Sequence, residues 1–387
     1  MTPRVALVTY STKPRGGVVH TLALAEALVG LGHDVTVIAL GDRTNGNGFY
    51  RPVAAPHTLF PAPAPRSTLE ERVFSSVDAL ADGLAGVAGD FDILHTQDCI
   101  SARAAVRVRQ AGADFTVVRT VHHVDDFTTP ALIDCQRQAI LEPDRLLVVS
   151  EHWRRLLRCE YGVESSVVYN GVDQSRFGPI SAGQRAMFRE RAGATGRFLF
   201  LAVGGIEPRK GSAYLLEAMG LLKGRVEPNP VLAVVGGHSF QDYAAYRDAA
   251  LARLPEWGLD LGTDLVMLGT VCDADLAGWY RAADALAFPS LKEGWGLVVL
   301  EAMSADLPVV ATDIPVFREY LTHGKDALLV PMEDAASLAS AMQELMVDHE
   351  LRARLRQGGQ QVVDRFTWPE SARQHLAVYD EVVPGKS

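Results

Sequence analysis

A chain of 387 residues exceeds one ordinary compact unit, at roughly 100–200 residues per domain, and is expected to fold as two or three. Its 37 Lys and Arg against 47 Asp and Glu give a net charge of −10, and neither half carries the basic excess of a nucleic-acid binder, so no nucleic-acid partner is expected. With 48% hydrophobic and 22% charged residues, 34 Gly and 20 Pro, the composition is globular and excludes disordered and fibrous classes.

Short apolar, β-branched runs recur along the chain with amphipathic helical stretches between them. They fall at Val5–Tyr10, Val35–Leu40, Ile93–Thr96, Phe115–Val121, Leu146–Ser150 and Ser166–Tyr169. The alternation resumes at Phe198–Val203, Val231–Val235, Leu265–Leu268, Ala285–Pro289, Val309–Ala311 and Ala327–Val330. This pattern predicts two α/β domains, each a doubly wound parallel sheet. Apolar residues at consecutive strand positions fit sheets covered by helices on both faces. Asn-Gly, Gly-Pro and Ser-Ala-Gly sequences around a polar helix-like segment between Asn170 and Gly196 mark the expected linker. The boundaries are placed at 1–178 and 195–368, with a last helix over 369–387 expected to return to the first domain. The segment Gly41–Pro65, rich in Asn-Gly and proline, reads as a mobile surface loop.

The four cysteines, Cys99, Cys135, Cys159 and Cys272, have no metal-ligand spacing and read as reduced thiols. The run Val5–Tyr10 is too short for a signal-peptide core, and no run approaches the roughly 18 apolar residues of a membrane span. A cytoplasmic location follows as the expectation.

In open α/β sheets ligands bind beyond the carboxyl ends of strands, so chemistry is sought there. After the first strand, Gly16-Gly17 opens a helix whose N-terminal amides favour anions; a plain tight turn is the alternative. His122-His123-Val124-Asp125-Asp126 follows the Phe115–Val121 strand. A histidine there exchanges a proton near neutral pH or hydrogen-bonds a substrate hydroxyl, unless the segment is an exposed loop. His95, three residues before Asp98, repeats the pattern more weakly and is expected to be a satisfied core histidine. In the second half, Glu207-Pro208-Arg209-Lys210-Gly211 places two cations at a helix start. That arrangement opposes the helix dipole unless an anion binds, the alternative being two solvated surface cations.

Glu293-Gly294-Trp295-Gly296-Leu297 leads into Leu300-Glu301-Ala302-Met303. If helical throughout, the two glutamates are separated by about 12 Å of rise, more than the roughly 5–9.5 Å of a glycoside hydrolase acid/base pair. They are expected to hold two parts of one long ligand, with Gly294 and Gly296 offering amides to a diphosphate. A capped amphipathic helix remains the alternative.

These residues together resemble the retaining, nucleotide-sugar-dependent glycosyltransferases of family 4, of GT-B architecture with two Rossmann-like domains facing across a cleft. The resemblance spans nearly the whole chain: Gly16-Gly17, Thr120-Val121-His122, Tyr169-Asn170-Gly171-Val172-Asp173, Lys210-Gly211, Glu293 to Glu301, Leu307 to Thr312, and Phe366-Thr367-Trp368. It implies transfer of a sugar from a nucleoside-diphosphate sugar to a small-molecule, glycan or lipid acceptor, with retention and no metal or other cofactor. It also implies catalytic roles for His122, Lys210 and Glu293. Donor contacts are implied at Gly17, Arg209, Lys210, Val271, Glu293, Gly294, Gly296, Leu297 and Glu301. Lys210 would neutralise the departing diphosphate, Glu293 bind the donor sugar, Glu301 hold the ribose hydroxyls and Val271 lie beside the base. The amides of Gly296 and Leu297 would meet the phosphates, His122 the reacting sugar.

Many members of the resembled family carry an arginine where this chain has Gly205; Arg209 is the candidate replacement cation, although beside Lys210 it is expected to point about 100° away if both are helical. Asp273-Ala274-Asp275 reads as a helix N-cap rather than a metal motif. Alternatives kept open are an epimerase or hydrolase of the same fold and a catalytically silent nucleotide-sugar binder. The basic, apolar stretch His152–Arg158 raises membrane association, against the slight negative charge of the first half.

Overall fold

A computed structural model describes residues 3–41, 48–236 and 243–383. The Asn45-Gly46-Asn47 part of the expected loop and the last residues of the expected terminal helix lie outside them. The chain divides into unit 1, Met1–Gly171 with Phe366–Ser387, and unit 2, Val172–Arg365.

In unit 1 the elements run β1 (Val5–Thr9), α1 (Gly16–Gly30), β2 (Val35–Gly41), β3 (His57–Pro61), α2 (Leu69–Ala85), β4 (Ile93–Thr96) and α3 (Cys99–Gln110). They continue through β5 (Thr116–Val121), α4 (Pro130–Leu141), β6 (Arg145–Val148), α5 (Glu151–Tyr161) and β7 (Ser166–Val167). Unit 2 contains α6 (Ala182–Arg191), β8 (Leu199–Val203), α7 (Ser212–Leu222), β9 (Val231–Val235), α8 (Ala244–Ala252), β10 (Leu265–Gly269) and α9 (Asp273–Ala282). Then come β11 (Ala285–Phe288), α10 (Leu297–Ser304), β12 (Val309–Thr312), β13 (Leu328–Val330), α11 (Ala335–Val347) and α12 (His349–Val363). The last helix, α13 (Trp368–Val382), belongs to unit 1.

Both sheets are parallel, in the orders β3-β2-β1-β4-β5-β6-β7 and β10-β9-β8-β11-β12-β13. The strand order therefore reverses between β1 and β4 in unit 1, and between β8 and β11 in unit 2. Crevices for ligands form at the carboxyl ends of these strand pairs. Strands β1, β9, β11 and β12 are buried at every position, in accord with their apolar sequences, in which only the terminal Thr9 and Thr312 are polar. Helix α13 packs on α1 and buries Trp368, His375 and Tyr379. Pro369 in its first turn and the Thr367 hydroxyl, which accepts from the Glu370 amide at 3.4 Å, define its start.

Two expectations are corrected. The segment read as a mobile loop contains β3, which pairs with β2 from Val37↔His57 to Gly41↔Pro61. Proline is tolerated because β3 is an edge strand with one partner. The chain before it is tied down by Arg51, whose guanidinium donates to both Glu26 oxygens at 2.7 and 2.8 Å, while the Ala54 amide donates to the same carboxylate at 3.2 Å. The expected linker is also not wholly a connector, because the division falls at Gly171/Val172 and α6 is part of unit 2. A Ser181 capping box starts α6 and buried Phe188 docks it against Trp279 of α9, with ring centroids 5.0 Å apart.

Candidate active site

At the switch point of unit 1, the Asp98 carboxylate accepts from the Thr9 hydroxyl at 3.1 Å and the Tyr10 amide at 3.0 Å, joining the ends of β1 and β4. It also caps α3 by accepting from the Ser101 amide at 2.8 Å. Burial pushes its carboxyl up to about 6, against these hydrogen bonds. Gly16 and Gly17 open α1, whose N-terminus has no side-chain cap. A Cβ on Gly17 would lie 3.7 Å from the His122 ring, so the glycine turn and His122 border one space.

His122, just beyond β5, has its Nε2 3.1 Å from the Gln97 Oε1. Its ring stands edge-on to His20 at 4.7 Å. Burial first, then His123, Arg119 and His375, lower His122 to about 3. The expectation of proton exchange near neutral pH is therefore corrected: His122 is a neutral imidazole suited to hydrogen-bonding a hydroxyl. His20 is fixed from behind by Asn170, Nδ1 to Oδ1 at 2.9 Å, and lies beside Trp368 and His375 of α13 at 5.4 and 5.8 Å. His95 has both nitrogens engaged, with the Tyr379 and Thr120 hydroxyls each at 2.7 Å, as a satisfied core histidine should.

At the switch point of unit 2, Pro208–Lys210 forms one 3-10 turn between β8 and α7. The Leu291 amide donates to the Arg209 carbonyl at 2.8 Å, fastening this turn to the segment after β11. Lys210 Nζ consequently reaches Glu293 Oε1 at 2.6 Å and lies 4.5 Å from the Phe288 ring centroid. Arg209 NH1 stands 3.8 Å from the same oxygen, and its Nε lies 3.1 Å from the carboxylate of buried Glu207 as an ion pair. Burial lowers Lys210 and pushes Glu293 upward, but the ammonium and then the guanidinium overcome that for Glu293 and hold it below the usual carboxylate range. The expectation that Arg209 points away from Lys210 is corrected, because the tight turn aims both cations at one carboxylate.

Glu293 precedes α10 rather than belonging to it, so the continuous-helix separation does not apply. The intervening Trp295 is an anchor: it is 2% exposed, its ring lies 4.7 Å from Tyr320, and its carbonyl accepts from the Tyr320 hydroxyl at 2.9 Å. Gly296 has φ +87, and a Cβ there would come 2.5 Å from Phe317, so only glycine fits. It is the N-cap of α10 and makes no side-chain cap bond, leaving the Leu297 end of the helix as an anion-favouring terminus beside half-buried Gly294.

Glu301 sits inside α10, 8% exposed. Burial raises its carboxyl, opposed by Arg176 and Tyr280. Gly205 adopts φ +77, a conformation in which an arginine would be strained. Val271 is half-buried in the connection from β10 to α9. Asp273 is not the N-cap of α9; Cys272 is, its Sγ accepting from the Asp275 amide at 3.5 Å. Asp273 instead pairs with Arg176, and Asp275 lies 3.3 Å from Arg191, so both carboxylates are engaged by arginines.

The residues brought together are thus Gly17 and His122 in unit 1, and Arg209, Lys210 and Glu293 in unit 2. Gln97, His20, Glu207, Arg176 and Tyr280 were not expected as contributors. Only the strand-end position of Gln97 carried a sequence signal for it.

The model of the group 1 glycosyl transferases matches residues 184–362, and that of Glycosyltransferase Family 4 matches residues 14–176. A phosphatidyl-myo-inositol mannosyltransferase of Mycolicibacterium smegmatis is 32% identical over 98% of this chain and 94% of its own. The chain belongs to the family 4 glycosyltransferases, with two parallel-sheet domains of the GT-B type. A D-inositol 3-phosphate glycosyltransferase of Jonesia denitrificans is 35% identical over 55% of this chain and 50% of its own. Two solved structures share the fold of this glycosyltransferase. Sucrose-phosphate synthase of Thermosynechococcus elongatus has a TM-score of 0.81 at 23% identity, covering 98% of this chain and 99% of that one. Anabaena HepE, solved in complex with UDP and glucose, has a TM-score of 0.81 at 18% identity, covering 98% of this chain and 100% of that one. Among the described residues of this glycosyltransferase, no helix is long and apolar enough to cross a membrane.

Proposed function

We infer that this glycosyltransferase moves a sugar from a nucleoside-diphosphate sugar to a hydroxyl acceptor with retention of anomeric configuration and without a metal. The observation that carries this reading is the convergence of Lys210 and Arg209 on Glu293, beside the open start of α10. The bond from the anomeric carbon to the diphosphate oxygen breaks as the acceptor oxygen bonds to that carbon from the same face, its hydroxyl proton passing to the departing diphosphate, on which negative charge grows. Two fixed cations and the α10 amides stabilise that charge without reorganisation. Lys210 and Arg209 thereby supply the positive charge that a divalent ion supplies in other transferases. Glu293, kept ionised by both cations, accepts hydroxyls of the donor sugar, while Glu301 accepts from the ribose. In unit 1, neutral His122 hydrogen-bonds a substrate hydroxyl.

Reading the chain as a silent binder drew on Gly205; Arg209 beside Glu293 removes that ground. Relatives named for phosphatidyl-myo-inositol and inositol 3-phosphate make the inositol hydroxyl the acceptor chemistry to try first. The test is turnover of UDP-, GDP- and ADP-sugars in EDTA with myo-inositol, its 3-phosphate or phosphatidylinositol vesicles, the product anomer being read by NMR. Acceptor-dependent product with the donor's configuration is expected. Inversion would overturn retention, loss in EDTA would overturn metal independence, and donor consumption indifferent to acceptor would point to a hydrolase.

A further inference from the structure

Glu301 is the one acidic side chain of α10 and is buried, yet it does not stand alone. From α9, the Tyr280 hydroxyl donates to Glu301 Oε2 at 2.8 Å. From the turn Gln174–Phe177, Arg176 NH1 lies 4.0 Å from Oε1. Each flanking group is itself fixed. Tyr280 is fully buried, its ring edge-on to Phe177 at 5.5 Å, and Arg176 is held by Asp273 while its guanidinium covers the Phe177 ring at 5.3 Å. Burial raises the carboxyl above its ordinary value, and the guanidinium and the hydroxyl oppose that shift. One oxygen is thus occupied by a strong donor, and Oε1, with a cation only at its edge, keeps lone pairs for a ligand.

We propose that Tyr280 and Arg176 are positioning residues that hold the Glu301 carboxyl turned so that Oε1 accepts from ribose hydroxyls, making the donor site selective for a ribonucleotide over a deoxyribonucleotide. This rests on Glu301 being the ribose ligand. A carboxylate free to rotate or to protonate would pair less well with a hydroxyl, whereas a locked one rejects the nucleotide that lacks it, since a buried acceptor is then left unpaired.

The experiment measures the affinity of the full chain for UDP, GDP and ADP and for their 2′-deoxy counterparts by calorimetry. Native protein is expected to favour the ribonucleotide about tenfold or more for the base that it binds. Tyr280→Phe should cut that ratio severalfold while leaving the deoxynucleotide affinity and the melting temperature near native. Equal weakening of both nucleotides, or an undiminished ratio, would overturn the proposal. Should Tyr280→Phe not fold, Arg176→Gln, at a partly exposed position, is expected to shrink the ratio in the same way, and an unchanged ratio there overturns it equally. A native protein with no preference, and a Glu301→Gln variant binding like it, would instead show that Glu301 does not touch the ribose and that the underlying reading fails.

Discussion

At the switch point of unit 1 the histidines are neutral: burial holds His122 near 3 and His375 near 4. At the switch point of unit 2, Lys210 and Glu293 face each other as ions at 2.6 Å, with Arg209 beside them. Two sheets of the same topology class therefore end in opposite electrostatics. A cluster of uncharged imidazoles and amides offers directional hydrogen bonds suited to hydroxyls. A carboxylate held between cations is built for a ligand carrying both sugar hydroxyls and diphosphate charge. The division of labour lies in the strand-end turns rather than in the sheets, in keeping with function being grafted on fold.

The sharpest break of that contrast is Lys210→Ala. Removing the cation that touches Glu293 should lower kcat/KM for the donor by about 10²–10³-fold, as loss of a fixed charge-stabilising donor does; steady-state kinetics with saturating acceptor reads it. The same change in unit 1, His122→Gln, should cost less, because an amide still offers a hydrogen bond. Next comes Gly296→Ala, which forces a Cβ to within 2.5 Å of Phe317 at φ +87. We expect a loss of about 3 kcal/mol in a urea titration, along with weaker nucleotide binding.

The neutral cluster predicts a pH response confined to acid. His20, His95, His122 and His375 all have folded values below the usual 6.5. The unfolded chain therefore takes up protons that the folded chain does not. Their contribution is fully present above pH 6.5 and is lost as pH falls toward the folded values, at about 2 kcal/mol per histidine by pH 5. Unfolding midpoints at pH 7 and 5 should differ more for the native chain than for His375→Gln. The smallest effect is expected at the unit 1 edge, where Arg51→Met removes the partly exposed bond to Glu26 and should cost about 1 kcal/mol, read as a melting shift without change in donor turnover.

The sheet domains were legible because fully buried parallel strands must be apolar at consecutive positions, as Val231–Val235 is. Strand β3 escaped because Pro61 within it and the prolines around it argue against a strand, and only its place at the edge makes Pro61 harmless. Helix α6 read as a polar, helix-like piece of the linker because Phe188 is its one buried residue, too little apolar surface to mark it as part of unit 2. The placement of Lys210, Glu293 and His122 beyond strand ends was legible in the sequence. Their partners were not: Tyr280 meets Glu301, and Asn170 meets His20, across long stretches of chain that no local spacing encodes. Arg209 was misplaced for a different reason. A helical 100° rotation separates neighbours, whereas the observed 3-10 turn between β8 and α7 lets both cations reach one oxygen.

The measurement that bears most directly on this account is release of nucleoside diphosphate from a panel of UDP-, GDP- and ADP-sugars in EDTA, comparing the native chain with Lys210→Ala and Glu293→Ala. The account predicts metal-free, acceptor-dependent release from one donor class that collapses in both variants while their folding persists. Release that survives both substitutions, or that requires an added divalent ion, would contradict it.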